Sequence, residues 1–195
     1  MTLLDKVHEQ FREAAGLATR SLPVIDKYLV KLAQETASRV VVGGKVLLMG
    51  NGGSAADAQH IAGEFVVKLN SERAALPALA LTTDASVMTA AANDYGYVEV
   101  FARQIQALCN VNDLVVALST SGNSPNVVRA LETARERRIF TAAFLGGDGG
   151  EAARHADVQI IIPSTNPQRI QELHGIMGHV WVSLVEDLVF SAAPR

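Results

Sequence analysis

The sequence predicts an α/β fold built on a five-stranded parallel sheet, and three observations carry that expectation. Short apolar or β-branched runs alternate with segments of helical periodicity along most of the 195 residues. The runs are apolar without strict polar alternation, as strands covered on both faces are. The last long segment is apolar around most of its circumference, so it needs cover on more than one side.

Taken in order, Leu4, Val7, Phe11, Ala14 and Ala18 recur at helical spacing. A second helix is expected to start near Pro23, a favoured first-turn residue, and to run toward Gly43-Gly44. The chain is therefore expected to open with a helical hairpin over residues 1–43, ahead of an α/β core and closing helix over 44–195. Five strand candidates follow: "KVLLM", "ALAL", "DLVVALS", "IFTAAF" and "VQIII". From about Pro167 to Phe190 a single helix carries Met177, Val180, Trp181, Val182, Leu184, Val185, Leu188 and Val189. No repeat or long linker divides the chain, so one domain is expected.

Composition narrows the function classes. No apolar run approaches the roughly 20 residues of a membrane-spanning helix, and charged residues interrupt the first 30 positions, unlike a secretory signal. Cys109 is the lone cysteine, which excludes an intrachain disulfide and fits a soluble protein of the reducing cytoplasm. The net charge of −3, with no Lys/Arg tract, argues against nucleic acid as the main ligand. Neither membrane nor nucleic-acid partners are expected.

Ligands of open parallel sheets lie beyond the carboxyl ends of the strands. The stretch "MGNGGSAADAQHIAGE" places Gly50 to Ser54 there, where Gly52 and Gly53 permit positive φ and close approach, and the following helix offers free N–H groups to an anion. Ser54-Ala55 stands where a nucleotide P-loop requires Lys and a hydroxyl residue. "GNGGSA" satisfies a loose dinucleotide pattern, but Asp84 lies well beyond the expected spacing of about 20 residues. The second loop, "STSGNSPN", sets Ser119, Thr120, Ser121 and Ser124 after the third strand run, with Ser124 suited to cap a helix and Pro125 to begin it. Two such loops at neighbouring strand ends point to a phosphorylated ligand held without Arg or Lys.

His60 and Glu64, four residues apart, project from one helix face. Gln171 and His179 interrupt the apolar closing helix, where buried polar groups require partners. These four could hold a divalent ion such as zinc, although Gln171 and His179 stand about 12 Å apart along a helix. An irregular first turn, side chains reaching toward a midpoint, or ligands from different subunits would each meet that difficulty. Beyond the second strand, Asn93 and Asp94 read as a turn signal before Gly96 or as contacts to sugar hydroxyls.

With "GNGGSAADAQHIAGE", "AANDYGY", "STSGNSPNVV" and "RIQELHGIMGH" in view, nearly the whole chain resembles the bacterial phosphoheptose isomerases of the sugar isomerase (SIS) fold. The resemblance implies a flavodoxin-like three-layer sandwich, a homotetramer with active sites between subunits, and conversion of D-sedoheptulose 7-phosphate to D-glycero-D-manno-heptose 7-phosphate for surface polysaccharide. By motif, it implies that Ser54, Ser119, Thr120, Ser121 and Ser124 hold the phosphate. Asn51, Gly52, Gly53, Asn93 and Asp94 would contact the sugar or shape its pocket. His60, Glu64, Gln171 and His179 would hold about one zinc per chain, with Glu64 and Gln171 also near substrate and Glu64 and His179 as the acid–base pair. Some relatives carry an Asp three residues before Gln171, where this chain has Gln168, so that position is assigned no role. Two rivals share the fold: a non-catalytic tetramer assisting a replication initiator, which lacks the acid–base pair, and isomerases of other sugar phosphates such as arabinose 5-phosphate.

Overall fold

The computed structural model describes residues 1–190. Five parallel strands, β1 (Val46–Gly50), β2 (Ala78–Ala80), β3 (Leu114–Ser119), β4 (Phe140–Gly146) and β5 (Val158–Ile162), lie in the order β2-β1-β3-β4-β5. All five coincide with the expected runs. Six helices accompany them: α1 (Leu3–Val41), α2 (Gly53–Val66), α3 (Ala85–Tyr95), α4 (Val100–Leu108), α5 (Pro125–Glu136) and α6 (Pro167–Phe190).

Because successive strand residues point to opposite faces, each strand feeds two cores. Val46, Leu48, Leu114, Val116 and Phe144 pack toward α1, α2 and α6, in a cluster with Leu32, Phe65, Met177 and Trp181. Leu47, Met49, Val115 and Leu145 pack toward α3, α4 and α5, against Phe101, Ile105, Val127 and Leu131. The result is the three-layer sandwich.

The expected hairpin is not formed: α1 is one helix of 39 residues, and Pro23 lies inside it. Leu17, Ser21, Ile25 and Leu29 are all buried, so a stripe at four-residue spacing runs through the proline without a shift. Pro23 and Thr19, whose carbonyl loses its partner, are exposed, so water can donate to that carbonyl in place of the N–H the ring removes. A capping box begins the helix: Asp5 N donates to Thr2 Oγ1 at 3.1 Å and Thr2 N to Asp5 Oδ2 at 2.7 Å. Near its other end Trp181 of α6 donates its indole N–H to Thr36 Oγ1 at 3.0 Å.

The order β2-β1-β3 makes the β1/β3 edge a topological switch point, because the chain leaves β1 toward one side and β3 toward the other. Gly50 pairs in register with Leu118, so the loops opening at Asn51 and Ser119 start side by side. Among the described residues, no helix is long and apolar enough to cross a membrane.

Candidate active site

Two glycines of the first loop do different jobs. Gly52 adopts φ +57°, ψ −123°, a conformation that side chains disfavour, and ends the loop as N-cap of α2 with no side chain capping the helix. Gly53 has no such φ; its role is space, since a Cβ there would lie 2.2 Å from Nε2 of Gln171. Ser54 is buried in the first turn of α2.

In the second loop Ser124 and Pro125 stand where the sequence predicts, as N-cap and first residue of α5. The Ser124 hydroxyl, however, caps nothing: it lies 3.5 Å from the Ser119 hydroxyl. Ser119 Oγ accepts from Gly122 N at 3.1 Å and Ser121 Oγ from Asn123 N at 3.2 Å, which turns the loop back on itself. Gly122, at φ +65°, lies so close to the carbonyl of Gly149 that a Cβ would come within 2.0 Å of it. Thr120 is half-buried beside them. Hydroxyls and an uncapped helix N-terminus on each side of the switch point suit an anion.

His60 and Glu64 lie on α2, and His179 comes from α6 to meet them. The Nε2 atoms of His60 and His179 are 2.7 Å apart, with the rings edge-on, and His60 Nε2 is 3.6 Å from Glu64 Oε1. One donor atom from each of the three fits within 4.8 Å of the others. Two imidazole nitrogens that close, with a carboxylate beside them, suit a divalent ion.

Gln171 stands one level earlier. The closing helix is regular from Pro167, so its eight-residue offset from His179 is real; the carboxamide instead lies against Gly53, near Asp57, one turn before His60. Asp57 is a residue that the sequence reading passes over. Burial raises its carboxyl above the usual range against the opposing pull of the His60 charge and the nearby Gln171 carboxamide, and its Oδ2 is buried without a partner. Its position three before His60 and seven before Glu64 puts all three on one helix face, a spacing visible in the sequence.

Asn93 and Asp94 fall in the last turn of α3 rather than in a free turn, both exposed, with Asn93 Nδ2 donating to Asp94 Oδ1 at 2.8 Å. Asp94 also lines a hollow of about 620 Å³ between β2, α3 and α4. The segment reaches the two loops through a residue the sequence reading does not single out. Tyr97, in a 3-10 turn at Tyr97–Glu99, sets its hydroxyl 3.1 Å from Asn51 Oδ1.

A second unforeseen group ties α2 to α6. Arg73 and Glu186 are buried and pair at 2.7 Å. Arg73 donates to the carbonyls of Glu64 and Phe65 at 2.8 Å each, while Glu186 accepts from Leu69 N at 2.9 Å and Asn70 N at 3.1 Å. Burial pushes the Glu186 carboxyl up, but these N–H donors and the Arg73 guanidinium together hold it below the usual carboxylate range.

Known proteins share this fold. The SIS domain family matches residues 9–146. The chain is similar to the phosphoheptose isomerase of Aquifex aeolicus, at 47% identity over 96% of this chain and 98% of the relative. It is similar also to that of Chlorobaculum parvum, at 55% identity over 96% and 89%. The solved structure of a phosphoheptose isomerase from Neisseria gonorrhoeae superposes with a TM-score of 0.90 at 37% identity, covering 95% of this chain and all of that one. With the switch-point loops and the His/Glu/His cluster in place, the chain belongs to the SIS domain family and, within it, to the phosphoheptose isomerases.

Proposed function

We propose that this isomerase converts D-sedoheptulose 7-phosphate to D-glycero-D-manno-heptose 7-phosphate in the cytoplasm, as a step toward heptose units of surface polysaccharide. The observation that carries the reading is the convergence of Glu64 and His179 from separate helices, beside loops that suit a phosphate.

Ser54, Ser119, Thr120, Ser121 and Ser124 hold the phosphate, and Asn51, Gly52, Gly53, Asn93, Asp94 and Gln171 surround the sugar. Glu64 removes a proton from C1 while the C2 carbonyl oxygen gains one, which gives the enediol. The O1 proton then leaves, Glu64 returns a proton to C2, and the aldehyde stands at C1. His179 serves the oxygen protons in both halves. His60, Glu64 and His179 would hold about one zinc per chain, an ion that polarises a carbonyl oxygen when bound, and Gln171 would join them by turning its carboxamide away from Gly53. The close nitrogens of His60 and His179, with the Glu64 carboxylate within 4.8 Å of them, fit a cation there.

The assembly in this reading is a homotetramer of single-domain chains. Leu3, Leu4, Val7 and Phe11 expose 51 to 81% of their surface along the first turns of α1, an apolar stripe that calls for a partner helix.

The test is incubation of purified protein with sedoheptulose 7-phosphate while the aldose is followed. Wild type should turn over, and Glu64→Gln and His179→Asn should each lower kcat by roughly a thousand-fold or more, as paired acid–base groups act together. Folded variants with near-normal kcat would overturn the assignment of the pair.

A further inference from the structure

We infer that Tyr97 is a positioning residue that makes Asn51 a donor-only group toward the ligand. The inference rests on the functional reading above, and it follows from counting the hydrogen bonds of one carboxamide.

One backbone N–H fixes the direction of the amide pair. Val127 N donates to Asn126 Oδ1 at 3.0 Å, so the oxygen of that buried amide must face the first turn of α5. Asn126 Oδ1 also accepts from Asn51 Nδ2 at 2.9 Å, and Asn126 Nδ2 donates to Asn51 Oδ1 at 2.9 Å. Reversing either amide would set like groups against each other, so the pair has one orientation. Tyr97 then completes it: Asn51 Oδ1 can only accept, so the phenol donates across the 3.1 Å contact.

A carboxamide carries two acceptor lone pairs and two N–H donors. Both lone pairs of Asn51 are taken, one by Asn126 and one by Tyr97, and one N–H is taken by Asn126. A single N–H remains for the ligand. It favours an acceptor, such as a carbonyl or hydroxyl oxygen of the sugar, and offers nothing to a hydroxyl that must donate. The same contact anchors the segment carrying Asn93 and Asp94, because Tyr97 follows α3 by one residue past Gly96. Glu99, at the end of that turn, is separately tied to Arg129 of α5 at 3.1 Å, so losing the phenol hydroxyl leaves the turn attached.

Tyr97→Phe removes the hydroxyl and keeps the ring. Since Tyr97 is 54% exposed, the thermal midpoint should stay as in wild type. The KM for sedoheptulose 7-phosphate should rise about five-fold, the worth of one neutral hydrogen bond, with kcat within about two-fold. In an Asn51→Ala background the same change should add nothing, because the hydroxyl acts only through Asn51. An unchanged KM in Tyr97→Phe, or an equal further rise in the double variant, would overturn the inference while leaving the activity standing. A wild-type protein with no turnover of this sugar would overturn the activity and the inference with it.

Discussion

His174 shows how a single side chain sets a pH limit. It is fully buried on α6, its Nε2 lies 3.3 Å from the carbonyl of Leu145, and its Nδ1 has no partner. Burial pushes its pKa down to about 4, against the raising effect of that carbonyl. The unfolded chain therefore binds a proton below its ordinary value of 6.5 while the folded chain stays neutral. Stability is whole above that value and falls as pH drops toward 4, by about 3 kcal/mol across the window. Denaturant midpoints between pH 7 and 4.5 should show this slope in wild type and a shallower one in His174→Gln; equal slopes would contradict it. At this scale the sequence was partly legible. The candidate hydroxyls, His60, Glu64 and His179 stand out by residue type and spacing, whereas Asn126 and Tyr97 contact Asn51 from 75 and 46 residues away. No local pattern records those distances.

Elements were more legible than their joints. The central strands β1, β3 and β4 are readable because both of their faces are buried, and α6 because most of its buried positions are apolar. Pro23 misleads because a proline at a helix start and one on the solvent side of a long helix look alike until the buried stripe is known. The joint between α2 and α6 is invisible in sequence, since Arg73 and Glu186 are 113 residues apart. Its geometry links the helices that carry the candidate ligands: Glu186 follows His179 by seven residues on one face, and Arg73 holds the carbonyl of Glu64 itself. Arg73→Met would leave a buried carboxylate without its cation and should cost about 3–5 kcal/mol. Adding Glu186→Leu should recover only part of that, because Leu69 N and Asn70 N then lose their acceptor. Urea denaturation of both variants measures it, and full recovery in the double variant would show that the carboxylate caps nothing of consequence.

On the scale of the whole molecule, the sheet order sets where a ligand can sit, and the helices decide when that place exists. The fold class was legible because alternation of strand and helix leaves few ways to cover a parallel sheet. What could not be read is that the first and last helices pack on each other: Trp181 bonds Thr36, and Arg169 donates to the carbonyl of Gln10 at 2.7 Å. That closure governs the order of events during synthesis. While the chain emerges from the ribosome, α1 and all five strands are complete before α6 exists. The core face that α6 covers with Ile170, Leu173, Met177, Trp181 and Val185 therefore stays open to the last. Chains arrested before Pro167 should remain sensitive to protease and prone to aggregate, and resistance should appear abruptly once α6 has cleared the exit tunnel. Resistance already present in the arrested chains would mean that the sheet and its other helices can close a core without their final layer.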